Sequence, residues 1–127
     1  MKILVTTAGP VPAKNKAEYI INIAKRLGAE VIALHILKGE DQKQGQKALT
    51  IFSEAGRRAN VNVARVLKEG DIVPIIIESA QKEAVDLIIM GASEGKIVAE
   101  WVSASVMGKT EIPVVVIPHK FKSDVGR

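Results

Sequence analysis

Val85-Asp86-Leu87-Ile88-Ile89-Met90-Gly91-Ala92-Ser93-Glu94-Gly95 decides how the chain is read. Five apolar residues, interrupted only by Asp86, run into a loop carrying glycine and serine. A nearly continuous apolar run of this length reads as a strand buried on both faces, as central parallel strands are. Lys96-Ile97-Val98-Ala99-Glu100-Trp101-Val102 follows with helical spacing, so the order is strand, glycine loop, helix. That order aims backbone N–H groups and a helix N-terminus at an anion, while glycines allow positive φ and close backbone approach. A tight turn with Ser93 as N-cap accounts for the same residues without any ligand. Both readings stand at this point.

Working outward, the chain alternates strands and helices. Lys2-Ile3-Leu4-Val5-Thr6-Thr7 is the first strand and ends at Ala8-Gly9-Pro10. Pro10 and Pro12 are expected to extend the turn, with a helix from about Lys14 to a C-cap at Gly28. Ala17, Ile20, Ile21, Ala24 and Leu27 form its inner stripe. Glu30 to Leu37 is the second strand and contains His35. Lys38 to Gly45 reads as a polar connection, and a helix from about Gln46 to Arg58 turns Ala48, Leu49, Ile51, Phe52 and Ala55 inward. Val61 to Leu67 alternates apolar and polar, as a half-exposed strand near an edge does. Asp71 is placed as N-cap of a helix with Ile72, Ile75, Ile76, Ser79 and Ala80 inward. After the opening strand, a helix from about Glu94 to Met107 buries Ile97, Val98, Trp101, Val102 and Val106, and Gly108 closes it. Pro113-Val114-Val115-Val116-Ile117-Pro118 is the last strand.

Five strands separated by helices imply an α/β fold with right-handed parallel crossovers and helices on both faces of a doubly wound sheet. Ligands of such sheets collect beyond the carboxyl ends of the strands, where the strand order reverses. If strand one lies beside strand four, Thr7-Ala8-Gly9 and Gly91-Ala92-Ser93 face one crevice. The expected pocket is Thr7, Gly9, Gly91, Ala92, Ser93 and Gly95, holding an anion through backbone N–H groups.

Composition limits the alternatives. The 127 residues are enough for one domain, 1–127, with a basic tail over 119–127. Apolar residues make up 47% and charged residues 25%, a soluble globular balance, and no apolar run is long enough to span a membrane. With no cysteine, thiolate chemistry and Cys-ligated metals are excluded, and a cytoplasmic protein is the expectation. The net charge of +4 is scattered and aromatics are few, which argues against nucleic acid as a partner. His119, Lys120, Lys122 and Arg127 read as a solvated tail. His35 and His119 have no acid or histidine at ligand spacing, so no metal is expected, and His35 reads as a hydrogen-bonded core or crevice histidine. Ser93, Ser103 and Ser105 lack the context of a hydrolase nucleophile. Asp86, at the start of its strand, is a surface acid. No enzyme activity is expected.

The order and spacing of these pieces resemble the universal stress protein family. The resemblance is carried by Lys2-Ile3-Leu4-Val5, by Ala24-Lys25-Arg26-Leu27-Gly28-Ala29-Glu30-Val31 leading to Leu34-His35-Ile36, by Glu69-Gly70-Asp71, by Val85 to Gly91, and by Pro113 to Val116. It implies a five-stranded sheet ordered 3-2-1-4-5, a small regulatory stress-response protein, a homodimer through Pro113–Pro118 and, in one subclass, ATP in the crevice. Carried over, the nucleotide-side positions are Thr7, Gly9, His35, Gly91, Ala92, Ser93, Gly95 and Lys96. ATP-binding members resembling this chain have Gly-x-x-Gly and then Gly-Ser or Gly-Thr. Here Gly91 is followed by Gly95, one place late. An ungapped count puts Ala104-Ser105-Val106 at the second element but leaves almost no helix before Pro113. A shortened loop, with the helix from about Glu94 and the second element missing, is therefore the expectation. The acid that the resemblance implies after the first strand is absent; the corresponding position is Ala8, or Thr7 if slipped by one. Glu94 adds negative charge beside the turn, which Lys96 offsets. The expectation is weak or absent binding of ATP or AMP. A dimer with no small ligand and a flavodoxin-like FMN carrier remain as alternatives; the latter needs ring-stacking aromatics, for which only Trp101 and Tyr19 are candidates.

Overall fold

The computed structural model describes residues 1–91, 97–118 and 121, with backbone alone at 97–101. Its elements are β1 (Lys2–Thr7), α1 (Pro10–Leu27), β2 (Glu30–Leu37), α2 (Gln42–Ala59), β3 (Val63–Glu69), α3 (Ile72–Lys82), β4 (Leu87–Gly91), α4 (Ile97–Met107) and β5 (Val114–Ile117). The strands form one parallel sheet in the order β3-β2-β1-β4-β5. This is the α/β order expected from the resemblance.

Alternation along β1 divides the core. Ile3 and Val5 face α1 and α2 with Ile20, Ile21, Leu49 and Phe52, whereas Leu4 faces the opposite layer with Ile76, Ala80 and Val106. Both faces of the central strands are buried, which is why β2 and β4 are apolar almost throughout. β3 lies at the edge with a mostly half-buried or exposed pattern. At the opposite end from the crevice, Asp86 Oδ2 accepts the Lys2 backbone N–H at 2.9 Å and ties β1 to the start of β4.

Three boundaries differ from the sequence-based expectation. Pro10 and Pro12 lie inside α1, not in an extended turn before it. The first helical turn has no intrahelical acceptors for its N–H groups, so proline loses nothing there and its fixed φ favours the helix. α2 starts at Gln42, four residues before the expected Gln46, because Asp41 accepts the Lys43 N–H at 2.9 Å and caps it. β3 runs from Val63 to Glu69 rather than Val61 to Leu67, since the αL turn at Asn60 carries the chain to Val61 before pairing starts. The αL C-cap at Gly28 is as expected. Asp71 occupies the N-cap position of α3 with no side-chain capping bond, and its carboxylate instead meets Lys38 Nζ at 3.4 Å.

Candidate functional site

β1 pairs with both β2 and β4, so the chain leaves the sheet in opposite directions on either side of the β1/β4 boundary. A crevice opens there, beyond the carboxyl ends of the strands. It encloses a cavity of about 220 Å³. Thr7 and Ala8 from the end of β1, His35 from β2 and Gly91 from β4 line it, and Lys16 of α1 and Phe52 of α2 close its sides.

His35 is 5% exposed, and its Nδ1 lies 2.8 Å from the Thr7 carbonyl oxygen. A carbonyl only accepts, so Nδ1 carries the proton and donates. In the neutral ring this leaves Nε2 as an acceptor. Nε2 is buried with no hydrogen-bond partner among the described residues. α2 packs directly against the ring: a Cβ at Gly45 would stand 2.5 Å from His35 Cδ2, so only glycine lets the helix pass this closely.

Lys16 is the second unusual side chain. It is 8% exposed and lies on the inner face of α1 between Ala13 and Ile20. Its ammonium forms no hydrogen bond or ion pair with any described residue. Burial without a partner pushes its pKa below the ordinary 10.5. The Nζ sits over the end of β4, where a Cβ added to Gly91 would come within 2.7 Å of it. Lys38 and Glu40 stand at the same cavity, but both are engaged. The Lys38 ammonium meets Asp71, and Glu40 Oε1 accepts the Lys38 backbone N–H.

The structure thus brings Thr7, His35 and Gly91 of the expected site together in one lining. Gly9 is not in that lining. It is the N-cap of α1, its N–H is 3.4 Å from Thr7 Oγ1, and its carbonyl accepts from Ala13 N–H. Ala92, Ser93, Gly95 and Lys96 lie outside the described residues, as do Glu94, His119, Lys120, Lys122 and Arg127. The same holds for the side chains of Ile97, Val98 and Trp101. Sequence reasoning missed Lys16, although a signal was available. Ala13, Lys16, Ala17 and Ile20 follow the i, i+3, i+4, i+7 spacing of a buried stripe, so a lysine there is a cation facing inward.

The N-terminus of α1 is a poor anion cradle. Pro10 and Pro12 remove two of its free N–H groups, so the charge available to a ligand from this side is carried by Lys16. Tyr19 is not in the lining; its ring packs on Phe121 with centroids 4.5 Å apart. Phe121 thus lies on α1 beside the core and not in the solvated tail expected for this stretch. Among the described residues there is no cluster of three His, Asp or Glu side chains able to hold a metal, and no helix long and apolar enough to cross a membrane.

Comparison with known proteins agrees with this architecture. The model of the Universal stress protein family matches residues 37–118. A universal stress protein of Methanocaldococcus jannaschii is 29% identical over 138 residues, covering 91% of this chain and 81% of that protein. The universal stress protein from Archaeoglobus fulgidus, solved in complex with dAMP, superposes with a TM-score of 0.75 at 21% identity, covering 92% of this chain and 97% of that one. A family protein from Arabidopsis thaliana with AMP bound gives 0.74 at 18% identity, covering 100% and 99%. At these identities the solved structures speak for the fold. Together with the family model, which spans well over half of the chain, they establish that the chain belongs to the universal stress protein family.

Proposed function

We propose that this protein is a non-enzymatic stress-response protein whose crevice takes an adenine nucleotide or related phosphate weakly, and that it works as a homodimer. The observation that carries this reading is the cavity at the β1/β4 switch point, lined by Thr7, His35 and Gly91. The dAMP and AMP carried by the two solved relatives support the ligand class. The departures at Ala8 and in the Gly91 turn argue for weak affinity. A binding role fits the lining better than catalysis. The carboxylate in the described lining, Glu40, is held by the Lys38 backbone N–H and is not free to serve as a base.

Thermal unfolding with ATP, AMP, a cyclic nucleotide and inorganic phosphate tests the reading. A ligand at a hundred times its dissociation constant adds about 2.7 kcal/mol to stability. The expected result is an upward shift that needs millimolar AMP or ATP. Nanomolar affinity for ATP contradicts the weak site, and no shift with any of these ligands contradicts a ligand crevice.

The dimer reading rests on β5. Val114, Val115 and Val116 form a short β-branched edge beside β4, with Val115 43% exposed and prolines at both ends. An uncovered edge of this kind invites pairing, and its shortness suits one antiparallel contact across a two-fold axis. Val115→Lys places a charge on that edge and is expected to give a folded monomer in light scattering, with unchanged helix content. A wild-type monomer at high micromolar concentration, or a dimer that tolerates the substitution, contradicts the interface.

A further inference from the structure

We infer that the crevice of this chain selects a compact anion bearing a hydroxyl group, with Lys16 Nζ holding the anionic oxygens and His35 Nε2 accepting the hydroxyl proton. The inference rests on the crevice being the ligand site and goes beyond it in ligand class: the base of a nucleotide is not what is recognised.

Three observations carry it. Lys16 is a nearly buried cation with no counter-ion among the described residues, on the wall of the cavity. A cation taken out of water is tolerated when a ligand supplies the missing negative charge, and phosphate and carboxylate oxygens do so through short charge-assisted hydrogen bonds. His35 Nε2 has no hydrogen-bond partner among the described residues, and the tautomer fixed by the Thr7 carbonyl makes it an acceptor. A ligand that satisfies it brings an O–H or N–H donor. Lys16 and His35 line the same space of about 220 Å³, enough for one small ligand to reach both. A sugar phosphate or hydroxy acid carries both groups within that space.

Ala8, which lines the crevice at the end of β1, brings no carboxylate that would neutralise Lys16. Gly91 completes the arrangement, because a Cβ there would come within 2.7 Å of the ammonium and displace it.

Calorimetric titration at one fixed salt concentration separates the possibilities, using glycerol phosphate, methyl phosphate, AMP and adenosine as probes. Glycerol phosphate, which carries both groups, is expected to bind about as well as AMP and several-fold better than methyl phosphate, which lacks the hydroxyl. Adenosine is expected to give no measurable heat. Lys16→Met is expected to weaken glycerol phosphate about tenfold or more. That variant keeps an unbranched apolar stem one atom shorter and removes the charge, and its unfolding curve reports directly that it is folded. His35→Phe is expected to bring glycerol phosphate down to the level of methyl phosphate. Adenosine binding as well as AMP overturns the inference while leaving a nucleotide crevice intact. Equal affinities in wild type and Lys16→Met overturn it as well. No binding by any of the four probes removes both the inference and the crevice reading beneath it.

Discussion

Truncating Phe52 to alanine lowers the unfolding free energy by about 3–5 kcal/mol. The ring is 1% exposed and belongs to the core layer formed by α1, α2 and the sheet, while one side of it closes the crevice. Removing it loses the transfer energy of the ring and leaves a hole that Leu49 and Ile20, held in the same layer, fill only in part. Domains of this size have about 5–15 kcal/mol in total, so one substitution removes a large share. Urea unfolding checks this: the midpoint falls sharply while the slope stays near the wild-type value. A loss below about 1 kcal/mol contradicts the close packing of this layer. Because the new hole opens beneath the crevice, the same variant is expected to lose selectivity between small and large ligands.

Lys16→Met is expected to act in the opposite direction and stabilise the free protein by about 1–3 kcal/mol, the usual cost of a buried polar group left without a partner. Its pH dependence has a definite sign. Burial lowers the pKa of Lys16 in the folded state below the ordinary 10.5. Between the folded value and 10.5 the unfolded chain therefore holds more protons than the native one, and stability rises with pH. The charge penalty is fully present below the folded pKa and is relieved as pH climbs through that window. The advantage of Lys16→Met over wild type should accordingly be largest near neutrality and shrink toward pH 10.5. Lys38, Glu40 and His35 face the same cavity and are present in both proteins, so the difference between the two curves isolates Lys16. Chemical unfolding at several pH values measures it. A destabilised variant contradicts an unpartnered ammonium. Saturating anion is expected to offset that advantage by about 1.4 kcal/mol or more, since wild type binds it about tenfold or more tightly than the variant.

Much of this architecture was legible in the residues because burial on both faces leaves a plain trace. Leu4, Ile32, Ile88 and their neighbours form uninterrupted apolar runs that only central parallel strands require. Gly28 was legible for a similar reason, as a left-handed cap has few other candidates. The edges of helices were harder. Proline opposes a helix everywhere except its first turn, and Pro10 cannot show by itself which side of that boundary it occupies. Gln42-Lys43-Gln44-Gly45 carries no apolar periodicity, yet it is helical because Asp41 caps it and Gly45 lets it pass His35.

The site was legible in part, and for a different reason. Thr7 and Gly91 could be placed together once β1 and β4 were neighbours, since topology alone brings their turns to one crevice. Lys16 was not placed there, because a lysine in a polar-rich stretch reads as a solvent-facing charge. Only its position on the Ala13, Ala17, Ile20 stripe marks it as inward. The state of His35 Nε2 was beyond the sequence altogether: it follows from the Thr7 carbonyl lying 2.8 Å from the other ring nitrogen.

The central claim is that ligand meets Lys16 and His35 in the crevice between β1 and β4. The most direct measurement follows the Lys16 side-chain ammonium and the His35 ring signals by NMR while AMP or glycerol phosphate is titrated into the wild-type protein. Both signals are expected to move together and saturate with the affinity found by calorimetry, with the Thr7 and Gly91 amides moving alongside. Saturable binding that leaves the Lys16 and His35 signals in place would contradict it.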